Sequence, residues 1–112
     1  MENYIETKSF EFAVKIVRIT RELRTSGVES SLLSQLLKSG TSIGANIAEA
    51  QEAQSRNDFI SKMNIALKEA YETRYWLKIL EEVESFSNKQ IMERIDEIIR
   101  LLVSIVKTSK SK

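Results

Sequence analysis

The chain has 112 residues, long enough for one domain whose core needs no metal or disulfide. It lacks cysteine and histidine, which removes disulfides, iron–sulfur clusters, thiol nucleophiles, the usual zinc ligands and the commonest general base. Seventeen basic against sixteen acidic side chains leave a net charge of +1, so any basic patch is local. The absence of proline, the three glycines and the abundance of Ala, Leu, Ile, Glu, Lys and Arg point to an all-α protein. No secretory signal or membrane-length apolar run is visible, and a cytoplasmic protein is expected.

The first helix is predicted from about Glu6 to Ser26, ending at Gly27, the residue suited to a left-handed cap. Phe12, Ile16, Ile19 and Leu23 share its core face. A second stripe of Phe10, Val14 and Val17 points elsewhere, with Arg21 and Arg24 below it, and aligned apolar residues on an outer face favour an interface.

Ser30 is the predicted N-cap of a second helix reaching about Glu52, with Leu33, Leu36, Leu37, Gly40, Ile43, Gly44 and Ile47 as its core stripe. Two interior glycines cost this helix roughly 2 kcal/mol relative to alanine, so a close backbone contact must offset them. Two readings stand for its middle: a continuous helix, or a break near Gly40 with Thr41 capping a new one. The outer side carries Ser42, Ala45, Asn46 and Ala53, small or uncharged where a solvated face would bear long charged chains.

Ser55 and Asp58 resemble a capping box opening a third helix to about Glu84. Phe59, Met63, Ala66, Ala70, Thr73, Leu77 and Leu80 form a heptad seam. An antiparallel turn at Gln54 sets Ala66 and Ala70 opposite Gly44 and Gly40, small against small. Flanks of Ile60, Leu67 and Tyr71 on one side and Ile65, Trp76 and Val83 on the other make this helix apolar around most of its girth. Ser87 with Gln90 repeats the capping pattern before a fourth helix, about Asn88 to Lys107, with Ile91, Ile95, Ile98, Leu102 and Ile105 as its seam. The polar tail runs from Thr108 to Lys112. Four such helices with short connections read as one domain over residues 1–112, an up-down-up-down antiparallel four-helix bundle that self-associates through its second apolar stripes.

The run Ser42-Ile43-Gly44-Ala45-Asn46-Ile47-Ala48-Glu49-Ala50, followed by Asn57-Asp58-Phe59-Ile60, Ile65-Ala66-Leu67-Lys68-Glu69-Ala70, Glu72-Thr73 and Tyr75-Trp76-Leu77, resembles the bacterial four helix bundle protein family, also called the 23S rRNA-intervening-sequence protein family. The likeness covers nearly the whole chain. It implies a left-handed bundle assembled as a homopentameric ring, and a relationship to the nucleic-acid-binding accessory variability protein of diversity-generating retroelements. Many members carry proline where this chain has Gly44, so the chain falls in a different subgroup.

No catalytic residue, cofactor, metal or small-molecule substrate is expected. Glu49, Glu52, Glu69 and Glu72 lack the Glu-x-x-His pairs of a dimetal bundle and read as surface charges. Gly40-Thr41-Ser42-Ile43-Gly44 lacks the lysine and preceding strand of a phosphate-binding loop. Asn46 is expected to hydrogen-bond across a helix interface and Glu49 to pair with Lys62 or Arg56, with ligand contact as the other role for both. Arg18, Arg21 and Arg24, with Lys107, Lys110 and Lys112, are the candidates for contacting RNA or DNA. The leading expectation is a non-enzymatic homo-oligomer associated with nucleic acid, and the alternative is a scaffold for another protein.

Overall fold

The computed structural model describes residues 3–83 and 86–111. They form α1 (Tyr4–Thr25), α2 (Ser30–Ala50), α3 (Arg56–Glu82) and α4 (Lys89–Lys110), an up-down-up-down bundle 47 Å long. Glu84, the expected end of α3, lies outside the described residues, as does Lys112.

Local chemistry sets the helix ends. Asn3 caps α1 by accepting the Glu6 N–H at 3.2 Å, so α1 begins at Tyr4, ahead of the expected start. Its other end is a Schellman turn: Gly27 has φ +80°, its N–H donates to Arg24 O, and the Val28 N–H reaches back to Leu23 O. Ser55 caps α3 by accepting the Asp58 N–H at 3.0 Å. Two expected caps move by one residue. Ser30 is the first helical residue of α2, and Glu29 occupies the cap position without a side-chain hydrogen bond. Asn88, not Ser87, caps α4: its side-chain amide oxygen accepts the orphan Ile91 N–H at 3.0 Å.

α2 is continuous through both glycines. Thr41 and Ser42 send their hydroxyls back to the Leu37 and Lys38 carbonyls at 2.8 and 2.6 Å instead of capping a new helix. The core joins Phe12, Ile16, Leu33, Leu36, Ile43, Ile47, Met63, Leu77, Leu80, Ile91, Ile95 and Ile98, all essentially sealed from water. One polar pair sits inside it, the hydroxyls of Ser39 and Thr73, 3.0 Å apart.

That pair fixes the α2–α3 register and overturns the expected glycine–alanine contact. With Ser39 against Thr73 and Glu49 against Lys62, the helices are displaced by about one turn from the register expected of the Gln54 turn. The glycines face α1 instead. A Cβ on Gly40 would stand 2.8 Å from Ile16 Cγ2, and one on Gly44 would stand 3.3 Å from the Ser9 carbonyl oxygen. The close backbone contact exists, but between α1 and α2. α1 and α4 close the bundle with its thinnest seam.

Candidate nucleic-acid interface

α1 carries most of the exposed chemistry because its two sides are used differently. Its inner stripe of Phe12, Ile16, Ile19 and Leu23 is buried, and the same helical period places Arg18, Arg21 and Arg24 on the outside, all exposed. Among the described residues, ion pairs join Lys8 to Glu97 at 3.5 Å, Lys62 to Glu49 at 2.9 Å and Arg74 to Asp96 at 3.1 Å. The three α1 arginines are in none of them.

Between α1 and α4 the surface dips. Near the start of α1, Glu97 is engaged twice, by the Lys8 ammonium and by the Tyr4 hydroxyl at 3.0 Å. Further along, the acid–base pairing stops. Lys15 and Arg18 of α1 and Arg94 of α4 line one depression together with Phe10, Glu11 and Val14. Lys15 and Arg18 also line the next one, whose α4 wall is Asn88, Gln90 and Ile91. Arg94 Nε is buried without a hydrogen-bond acceptor, the one such side-chain atom among the described residues.

On the other side of α1 a larger groove of about 1050 Å3 runs against α2, floored by Thr41, Gly44, Ala45 and Ala48 and walled by Thr7, Phe10 and Ala13. Phe10 stands beside it 69% exposed, while Val14 and Val17 are half-buried. Apolar side chains also reach solvent from α3, where Ile65, Tyr71, Tyr75 and Val83 are exposed. Tyr75 meets Trp76 edge-on at 5.2 Å, and the Arg74 guanidinium lies 5.3 Å from the centre of the Tyr71 ring.

A model of the 23S rRNA-intervening sequence protein family matches residues 1–106. The chain belongs to this family. A crystal structure from Bacteroides thetaiotaomicron VPI-5482, of a protein with unknown function from the S23 ribosomal protein family, is similar to it at 51% identity and a TM-score of 0.88, over 92% of this chain and 98% of that one. No curated protein matches the chain.

The structure of this family member separates residues that the sequence grouped. Arg24 lies in the last turn of α1, and Lys107 and Lys110 in the last turn of the antiparallel α4, so the two cationic sets occupy opposite ends of the bundle. Asn46 does not bridge helices: its Nδ2 donates to the Ser42 carbonyl at 2.8 Å, because in α2 an Asn side chain reaches the carbonyl one turn back before any neighbour. Glu49 accepts from Lys62 at 2.9 Å, and that carboxylate holds the Lys62 pKa above the ordinary lysine value. Burial, then the neighbouring Glu72, raises the Glu69 carboxyl above its ordinary value. Among the described residues no three carboxylates gather to hold a metal ion, and no helix is long and apolar enough to cross a membrane. Lys15 and Arg94 are the groove residues that sequence reasoning passed over. Their only sequence signal is a cation on the flank of an apolar stripe, which usually means a side chain whose stem covers the core while its charge stays in water.

Proposed function

We propose that this bundle is a non-enzymatic protein that assembles with copies of itself, as a pentamer in the cytoplasm, and presents the cationic edge of α1 to RNA. The observation that carries the nucleic-acid reading is the exposed row Arg18, Arg21 and Arg24, which lacks carboxylate partners in a chain of nearly balanced charge. Repetition around an assembly turns a modest row into a continuous basic band, multiplying a contact that is weak in one copy. The family's name, which ties it to an intervening sequence of 23S rRNA, supports an RNA partner. Self-association is supported by Phe10 standing exposed beside a groove floored by Gly44, Ala45 and Ala48, where small side chains let another helix lie close. The non-enzymatic reading rests on the lack of histidine and cysteine.

Two measurements test the proposal. Light scattering coupled to size exclusion gives several times the 12.9 kDa chain mass at micromolar concentration, and Phe10→Glu shifts it downward with helicity kept. Arg18/Arg21/Arg24→Ser weakens RNA binding in fluorescence anisotropy. An assembly that binds no RNA is instead a scaffold for another protein.

A further inference from the structure

We infer that the α1–α4 groove seats phosphodiester groups of a nucleic-acid strand, with Arg94 as its inner anchor and Lys15 and Arg18 as its rim; the inference rests on the nucleic-acid reading above and deepens it. Arg94 stands one residue before Ile95 and three after Ile91, both buried, so its stem is held against the core and its guanidinium is carried to the groove. There its Nε is shut off from solvent without an acceptor, and the residue enters no ion pair among the described residues. Arg74, on the neighbouring helix, shows the contrast: it donates to Asp96 at 3.1 Å and lies over Tyr71. A guanidinium is a rigid fork of N–H donors matched to two oxygens of one anion, and with Nε enclosed it is the Nη end that a phosphate in the groove would meet.

Length argues for a strand over a lone ion. The two adjoining depressions follow α1 from Phe10 to Ile19, roughly 14 Å at helical rise, longer than one phosphate and suited to several in succession. Toward the start of α1, Glu11 in this depression, and Glu93 and Glu97 in the adjoining one that Arg94 also lines, oppose an anion and mark the end of the track.

The test uses the full chain and a fluorescein-labelled single-stranded RNA, with anisotropy read from about 50 to 200 mM salt. Arg94→Gln and Lys15→Gln should each weaken binding about tenfold at low salt and lower the log–log salt slope by about 0.7, the loss of one single-strand phosphate. Arg94→Lys should recover part of the affinity, since charge returns without the fork. Glu11→Gln should tighten binding. Circular dichroism and light scattering on each variant check fold and assembly. If the parent binds and Arg94→Gln and Lys15→Gln bind equally well with unchanged slope, the groove is not the seat and the nucleic-acid reading stands on other residues. If Arg94→Gln instead lowers the assembled mass, the groove is a contact between copies and the inference is overturned. If the parent fails to bind at low salt, the nucleic-acid reading and this inference fall together.

Discussion

Against α2, helix α1 packs backbone-close: Gly40 leaves room for Ile16 and Gly44 leaves room for the Ser9 carbonyl, and any added carbon meets an occupied position. Against α4 the same helix makes a thin seam whose outer edge carries charged side chains, Lys15, Arg18 and Arg94, beside apolar ones. The first side holds the fold and the second displays chemistry. Ile16 and Ile43, both sealed from water, each contribute about 1.5–3 kcal/mol by burial, enough to offset the roughly 1 kcal/mol that each glycine costs in helix propensity. No comparable burial is available to Arg94, whose guanidinium has no acceptor at Nε.

The largest effect expected from breaking the packed side is Ile16→Ala, a loss of about 2–5 kcal/mol of unfolding free energy, read as a lower denaturant midpoint at unchanged slope, from the cavity left in a sealed site. Gly40→Ala should cost about 1–2 kcal/mol despite better helix propensity, because the branched Ile16 side chain has nowhere to turn. A double-mutant cycle sharpens the point. Ile16→Ala together with Gly40→Ala should be more stable than the sum of the two by about 1 kcal/mol, since the new methyl enters the space the isoleucine vacated. Additive losses would mean that the two residues do not share a contact.

These residues also show how far the sequence could be read. Helical periodicity marked the main part of each buried stripe, although Val106 and not Ile105 closes that of α4 and Leu37 and Phe59 are only partly buried, and the paired glycines announced a close approach. It could not say which helix approaches. Successive α2 residues turn by about 100°, so Ser39 faces Thr73 on α3 while Gly40, one step on, faces Ile16 on α1. Counting outward from the Gln54 turn assumed a symmetric hairpin, and the observed register differs by about one turn. The exposed arginines of α1 were legible because three of them share one face. Arg94 was not, since its sequence context matches any flanking cation and only the assembled groove shows that its Nε has no acceptor.

Smaller effects follow on both sides. Gly44→Ala should change stability by less than about 1 kcal/mol, because the propensity gain roughly matches the few tenths of an ångström that Ser9 must yield. On the α4 side, Lys8→Ala removes an ion pair that is open to water and should change the denaturant midpoint little, and less still in high salt. A loss as large as that of Gly40→Ala would erase the contrast between the two seams.

The proposed function turns on whether the cationic edge of α1 meets phosphate. The direct measurement is fluorescence anisotropy of a structured RNA with micromolar parent protein at about 50 and 200 mM salt, the range over which counterion release weakens phosphate contacts strongly. The account predicts saturable binding at the lower salt that falls steeply at the higher, with duplex DNA competing because phosphates and not bases are read. No binding at the lower salt would contradict it.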